Sequence, residues 1–299
     1  MKFLKMHGLG NDFVILDFRQ GADPLSPERI RLICDRHFGV GCDQLVVMEP
    51  SEQADVFARF YNGDGSESGA CGNATRCVAE IIIKEKQKVP PHALPPHPSP
   101  LPRGERGQQY LESAPSPLWG EGRGEGCIIE TTSGLLPATR AENGMITVDM
   151  GVPKLDWREI PLSKPSDTLA LPLDGTPVCV NMGNPHCVFF VDNLADIPVE
   201  TLGAQCETDP LFPERTNVEF VQVIGENRLR QITWERGVGL TLACGSGACA
   251  VAVAAVRRGL TGRKVEIVLD GGSLTIEWRE SDSRVLMTGP VASVFEGCI

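Results

Sequence analysis

Histidine is scarce in this chain, five residues in 299, and no two histidines or cysteines fall in an H-x-x-x-H or C-x-x-C spacing. A zinc or other structural metal therefore has no recognisable ligand set, and none is expected. Positive charge is short as well: 28 Lys and Arg face 39 Asp and Glu, a net charge of -11. That balance argues against nucleic acid or an anionic membrane surface as a partner. No apolar run approaches the roughly 20 residues that span a bilayer, and Met1 to His7 holds no stretch of signal-peptide type. The expected location is the cytoplasm. Eleven cysteines are present, but an odd count without a secretion signal speaks against a disulfide framework. Residues such as Cys34, Cys179 and Cys206 read as small buried hydrophobes.

What is present is a globular composition, 41% hydrophobic and 22% charged, at a length that suits two domains. One stretch within it occurs twice. Leu242-Ala243-Cys244-Gly245-Ser246-Gly247-Ala248-Cys249 has its earlier counterpart in Gly69-Ala70-Cys71-Gly72-Asn73-Ala74-Thr75-Arg76-Cys77. Each copy sets a cysteine before a glycine and a small polar residue, then enters a helix-forming segment, Val78 to Lys86 or Val251 to Arg258. A thiol at a helix N-terminus meets unpaired N–H groups and the positive end of the helix dipole, so it is expected to ionise more easily than usual. The same amides can hold a carboxylate.

The rest of the chain follows the same duplication. At a constant shift of 173, Gly10-Asn11 falls on Gly183-Asn184, Gln44 on Asn217, Asn62 on Glu235 and Cys71 on Cys244. Pseudo-two-fold symmetry is the expected result. Pro27 to Arg36 is predicted helical behind a Ser26 cap. Strands are predicted at Asp43 to Met48, Ala54 to Tyr61, Gly144 to Met150, Val178 to Asn181, Cys187 to Val191, Val218 to Val223 and Leu229 to Trp234. A further pair, Val265 to Leu269 and Leu274 to Trp278, flanks the hairpin signal Asp270-Gly271-Gly272. Gly8-Leu9-Gly10 lacks the third glycine and the helix of a dinucleotide fingerprint. From Gln87 to Gly126 the composition turns to Pro, Gly, Arg and Glu, and Pro98-Ser99-Pro100-Leu101 recurs as Pro115-Ser116-Pro117-Leu118. This segment is expected to be a disordered insertion at a surface turn.

Two facing thiols suit a reaction that removes a proton from one side of a carbon and returns one to the other. One acts as thiolate base and its partner as thiol acid. No phosphate-gripping motif with a Schiff-base lysine points to pyridoxal phosphate, so no cofactor is expected. Gly72, Asn73, Gly245 and Ser246 would aim backbone donors at a substrate carboxylate, where charge grows as the α-carbon is deprotonated.

Taken together, His7-Gly8-Leu9-Gly10-Asn11-Asp12-Phe13, Asn62-Gly63-Asp64-Gly65-Ser66, Cys71-Gly72-Asn73, Gly183-Asn184-Pro185-His186-Cys187, Glu235-Arg236-Gly237 and Ala243-Cys244-Gly245-Ser246-Gly247-Ala248-Cys249 resemble the diaminopimelate epimerases, cofactor-independent amino acid racemases of lysine biosynthesis. The resemblance covers nearly the whole chain outside Gln87 to Gly126. It implies an α/β (α+β) fold of two pseudo-symmetric domains, each a mainly antiparallel sheet wrapped around a central helix, over residues 1–149 and 150–289, with 290–299 returning to the first. It implies Cys71 and Cys244 as the acid/base pair and His186 and Glu235 as groups that tune them. The amides of Gly72, Asn73, Gly245 and Ser246 would take the reacting carboxylate. Asn62, Asn184, Asn217 and Arg236 would hold the substrate's distant end, with Asn11, Gln44 and Glu235 completing the set. The substrate would be a small amino acid, and the assembly a homodimer in which Phe295 stands where some members have tyrosine. Ala74 replaces a more frequent glycine. A proline or hydroxyproline racemase of the same fold would leave the distal polar set without a role. A thiol redox or binding protein would need only the reactive cysteines.

Overall fold

The structure is a computed structural model that describes residues 1–69, 71–88 and 126–299. The expected disorder of 87–126 falls almost wholly outside the described residues. Its edges are corrected: Gln87 and Lys88 are the last two residues of a helix, and Gly126 opens a strand. The helix continues that far because nothing breaks it before Pro90, which lacks an N–H and disfavours helix at the residue ahead of it. Among the described residues no helix is long and apolar enough to cross a membrane.

The first half runs β1 (Lys2–Gly8), β2 (Asn11–Asp17), α1 (Pro27–Cys34), β3 (Gln44–Glu49), β4 (Val56–Asn62), β5 (Glu67–Ser68), α2 (Gly72–Lys88), β6 (Gly126–Thr131), β7 (Gly134–Arg140) and β8 (Ile146–Asp149). The second runs β9 (Val178–Asn181), β10 (Pro185–Phe190), α3 (Val199–Glu207), β11 (Asn217–Gly225), β12 (Arg228–Glu235), β13 (Gly239–Thr241), α4 (Gly245–Arg257), β14 (Lys264–Leu269), β15 (Gly272–Trp278) and β16 (Val285–Gly289), and the chain ends in β17 (Ala292–Cys298). The residues group into two compact units, Met1–Gly8 with Asp12–Asp149 and Pro290–Ile299, and Leu9–Asn11 with Met150–Gly289.

Each unit repeats one pairing scheme. In the first, β2 runs parallel to β3, β3 antiparallel to β4, β4 antiparallel to β5 and parallel to β6, and β6, β7 and β8 continue antiparallel. In the second, β10 runs parallel to β11, β11 antiparallel to β12, β12 antiparallel to β13 and parallel to β14, and β14, β15 and β16 continue antiparallel. The register repeats too. Phe13 lies opposite Gln44 and His186 opposite Asn217, so both positions move by 173, as do the first residues of α2 and α4. The repeat breaks after the helix: β6 begins 54 residues after Gly72, and β14 only 19 after Gly245.

Why these helices are central is legible in their composition. In α4, every residue from Gly247 to Ala255 is buried, a run of alanine and valine with no polar face. A helix apolar all round has to be enclosed. The helix lies against β9, β10, β11, β14, β15 and β16, and its small side chains let those strands approach closely. Each fully buried valine there contributes about 1.5–3 kcal/mol over an exposed one. The first turns of α2 are equally enclosed, from Gly72 to Glu80, against β1, β6, β7 and β8. Outside this layer α1 packs Ile30, Ile33 and Cys34 onto Val14, Leu16, Leu45 and Val47.

Two local differences from expectation have physical causes. Ser26 does cap α1, accepting from Arg29 N–H, but the helix stops at Cys34 rather than Arg36. Asp35 takes an extended backbone, and its carboxylate accepts from the N–H groups of His37 at 2.7 Å and Phe38 at 2.8 Å, turning the chain out of the helix. Helix α3 is absent from the sequence prediction. It is held by Gly203, where a Cβ would lie 2.6 Å from the Trp234 ring, a contact between segments far apart in sequence.

Candidate active site

In the first unit Cys71 is half-buried and immediately precedes α2. Thr75 closes the first turn onto it, its N–H and its hydroxyl both donating to the Cys71 carbonyl at 2.8 Å. Gly72 and Asn73 follow, both buried. The Asn73 amide oxygen accepts from Arg76 Nη2 at 2.9 Å, and Arg76 has no solvent exposure at all. Gln44 and Asn62 are opposite one another in β3 and β4, and Gln44 Nε2 donates to Asn62 Oδ1 at 2.9 Å. Asn62 Nδ2 in turn donates to Ser66 Oγ at 3.1 Å, which fixes its carboxamide. Asn11 opens β2.

In the second unit Cys244 is itself the N-cap of α4, with its Sγ accepting from Gly247 N–H at 3.4 Å and lying 3.5 Å from Ser246 Oγ. Around it the structure gathers a buried polar line. Glu219 Oε1 would lie 2.6 Å from a Cβ at Gly247, so the carboxylate rests on the first turn of the helix. The same oxygen is 2.7 Å from His186 Nδ1, and His186 Nε2 faces Asn184 Oδ1 at 3.0 Å. Asn217 and Arg236 form a neighbouring group: Asn217 Nδ2 donates to the Pro185 carbonyl at 2.9 Å, and Arg236 N–H donates to Asn217 Oδ1 at 3.0 Å. Glu235 accepts from the Thr241 hydroxyl at 2.6 Å.

The expected ease of ionisation is overturned at Cys244. Burial pushes its thiol well above the ordinary cysteine value, and the negative charges of Glu235 and Glu219 push it further. The hydrogen bonds from Ser246 and Gly247 N–H act the other way and lose. A helix N-terminus offers a few tenths to about 1 kcal/mol to an anion, whereas taking a charge out of water costs several times that. Cys244 therefore rests as a thiol.

Glu219 is a site residue that the sequence reading missed. It interrupts the buried strand run Asn217-Val218-Glu219-Phe220-Val221, and a carboxylate in a strand buried on both faces was the available signal. Its second oxygen, Oε2, and Gln231 Oε1 are buried without a hydrogen-bond partner among the described residues. Such atoms are costly in a core, of order 1–3 kcal/mol, so their presence beside Cys244 calls for a compensating role. Among the described residues no group of three or more His, Cys, Asp or Glu is arranged to hold a metal ion.

A family model described as diaminopimelate epimerase matches residues 3–92 and 178–294, two stretches that contain every site residue named above. The chain is 48% identical to a diaminopimelate epimerase of Rhodospirillum centenum over 99% of its own length and 91% of the relative's. It is also 48% identical to a diaminopimelate epimerase of Acidiphilium cryptum, over 99% and 95%.

The chain belongs to the diaminopimelate epimerase family.

Solved structures extend the fold beyond that family. A phenazine biosynthesis protein of the PhzF family from Bacillus anthracis aligns with a TM-score of 0.61 at 17% identity, over 99% of this chain and 98% of that one. A hydroxyproline epimerase from Agrobacterium vitis, solved with bound trans-4-hydroxy-L-proline, aligns with a TM-score of 0.59 at 14% identity, over 99% and 91%. At such identities the likeness concerns the fold alone. It establishes the mixed α/β class of this diaminopimelate epimerase family member.

Proposed function

We propose that the protein epimerises LL-2,6-diaminopimelate to the meso form and back, without a cofactor, with Cys71 and Cys244 as its acid/base pair. The observation that carries this reading is the repeat: both cysteines immediately precede a central buried helix, 173 residues apart, in a strand register that repeats with them. Inversion at a carbon needs one group to take the α-proton on one face and another to return a proton on the opposite face. Cys244, held as a thiol by burial, is the resting acid. Cys71 then takes the base role for the substrate epimer met by that form. After turnover the roles are exchanged.

The N-termini of α2 and α4 supply the electrostatics, with Gly72, Asn73, Gly245 and Ser246 presenting backbone donors to the reacting carboxylate as charge moves onto it. Asn62, Asn184, Asn217 and Arg236, with Asn11, Gln44 and Glu235, are assigned to the substrate's second amino acid end. A proline-type substrate has no such second end, which disfavours that alternative. We also read the protein as a cytoplasmic homodimer; in support, Val294 and Phe295 of β17 are 55% and 49% exposed, an apolar pair on a strand.

The test is incubation with LL-diaminopimelate in deuterated water without added cofactor. Solvent deuterium should enter the α-position as the meso isomer appears. The Cys71→Ala and Cys244→Ala variants, checked for folding by circular dichroism, should each lose at least about 100-fold of that activity, the usual span of a general acid or base. Near-normal epimerisation by either variant, or equal turnover of L-proline by the wild type, would defeat the assignment.

A further inference from the structure

Cys34 and Cys42 stand apart from the proposed chemistry, yet their thiols are in contact. Cys34 is the last residue of α1, and Cys42 lies two residues before β3. Their backbones are tied side by side, Cys42 N–H donating to the Cys34 carbonyl at 3.1 Å. The two sulfurs are 3.5 Å apart. The loop between them cannot easily spread, because a Cβ at Gly39 would lie 1.8 Å from the Leu32 carbonyl, and Gly41 takes a φ of +77° against Arg36. We propose that Cys34 and Cys42 are a peroxide-sensitive modification site, closing a reversible intrachain disulfide independent of Cys71 and Cys244.

The geometry requires little movement. A disulfide bond is about 2.0 Å long, so the sulfurs need to approach by roughly 1.5 Å, within reach of small side-chain rotations. Both residues are only 5% exposed, so the oxidant that reaches them has to be small. The pair is also polarised. Cys42 donates its S–H to Cys34, and that hydrogen bond, with the Lys5 ammonium nearby, holds the Cys34 thiol below its ordinary value against the opposing effect of burial. Cys42 is pushed up by the same hydrogen bond and by burial. Cys34 is therefore the attacking sulfur.

The chemistry balances with hydrogen peroxide as oxidant. The Cys34 thiolate attacks one peroxide oxygen, the O–O bond breaks, and the departing hydroxide takes up a proton to leave as water. Cys34 is now a sulfenic acid. The Cys42 sulfur attacks the Cys34 sulfur, the S–O bond breaks, and hydroxide leaves with the Cys42 proton as a second water. Two thiols lose two electrons and one peroxide gains them. A dithiol reductant reverses the result.

The bridge would sit beside Gln44 and Asn62. Cys42 is two residues from Gln44, and the Cys34 Cβ is 3.9 Å from where a Cβ at Gly63 would lie. An effect on substrate binding rests on the proposed function; the disulfide itself does not.

Trypsin gives the test, since cleavage after Arg36 separates the two cysteines. Full-length reduced protein is treated with hydrogen peroxide, quenched with catalase, alkylated under denaturing conditions and digested without reductant. The expected product is a cross-linked pair of peptides, Leu32–Arg36 and His37–Arg59, lighter by two hydrogens than the separate peptides and released by dithiothreitol. It should form equally in a Cys71→Ala, Cys244→Ala double variant. In Cys42→Ser, dimedone should trap a sulfenic acid at Cys34. Recovery of both cysteines alkylated while other thiols oxidise would overturn the proposal. So would a cross-link that disappears in the double variant, or irreversible oxidation of Cys34 without a bridge.

Discussion

His186 Nδ1 lies 2.7 Å from Glu219 Oε1, and neither side chain reaches solvent. A carboxylate in that position can only accept, so it orients the imidazole and fixes the plane of the ring edge that faces Asn184. Replacing Glu219 by Gln leaves the shape and removes that instruction, because an amide can donate as well as accept. The expected result is a fall in kcat on the order of 10- to 100-fold, with a smaller change in KM and an altered pH–rate profile. Circular dichroism should show an unchanged fold. A variant with wild-type kcat and pH profile would reduce Glu219 to a structural residue.

Cys244 makes a pH prediction with a definite sign. Its thiol is raised by burial, by Glu235 and by Glu219, so the protonated form persists through the pH range where an ordinary cysteine ionises. Alkylation of Cys244 by iodoacetamide should therefore stay slow past pH ~9 and accelerate only above it, where an unperturbed thiol with a pKa near ~8.5 would already be reactive. Glu235→Gln removes one of the charges that hold the proton on, and it should move the onset to lower pH. The same sign applies to stability. A raised thiol stabilises the fold fully below the unfolded value and loses that contribution as pH rises toward the folded one.

Gly247→Ala opposes two effects of different size. In a helix, alanine is favoured over glycine by about 1 kcal/mol. Here the new Cβ would lie 2.6 Å from Glu219 Oε1 and 3.3 Å from the Cys244 Cβ. Overpacking of that kind costs about 1–3 kcal/mol, so the steric effect should win. The variant is expected to melt earlier and to lose most of its activity. A thermal melt at or above wild type, with activity intact, would show that the Glu219 carboxylate can step aside.

Acid should act on the first unit through Asp12. Burial raises this carboxyl, but hydrogen bonds from Arg36 and Lys5 outweigh it and bring its pKa to about 2. Lys5 Nζ stands 2.5 Å and Arg36 Nη2 2.6 Å from the Asp12 oxygens. A depressed carboxyl contributes stability above its unfolded value near ~4 and loses it as pH falls toward the folded one. Asp12→Asn should therefore be less stable than wild type at neutral pH, and the difference should shrink between pH ~4 and ~2. Parallel melting curves across that range would contradict the pairing.

The duplication was legible because it is carried by residues that sit in turns or at strand ends. Asn11, Asn184, Gln44 and Asn217 align at a single shift, and the strand registers preserve it. The central helices were legible as helix-forming segments behind each cysteine, Val78 to Lys86 and Val251 to Arg258, and their central place followed from the family resemblance. Glu219 was not legible because it lies within an apolar strand, where no motif or repeat sets it apart. The state of Cys244 was not legible for a related reason. The helix N-terminus is a local feature visible in five residues, whereas the burial and the Glu219 and Glu235 charges that overrule it are brought together only by folding. The end of α1 and the presence of α3 depended likewise on an Asp35 carboxylate turn and on Gly203 meeting Trp234.

β17 pairs antiparallel with β1, Lys2 opposite Cys298 and Lys5 opposite Phe295, with the Phe3 and Phe295 rings edge to face at 5.9 Å. The earliest strand of the first unit thus waits for a strand that follows the second unit in the chain. Apart from Leu9–Asn11, the second unit is continuous in sequence from Met150 to Gly289 and can close while translation is still under way. The first unit, although synthesised earlier, has one edge of β1 unpaired until residues 292–298 emerge. An interrupted synthesis that stops short of Ala292 would leave that edge as a template for intermolecular strand addition, so truncation at this end should produce aggregation before it produces a merely weaker enzyme.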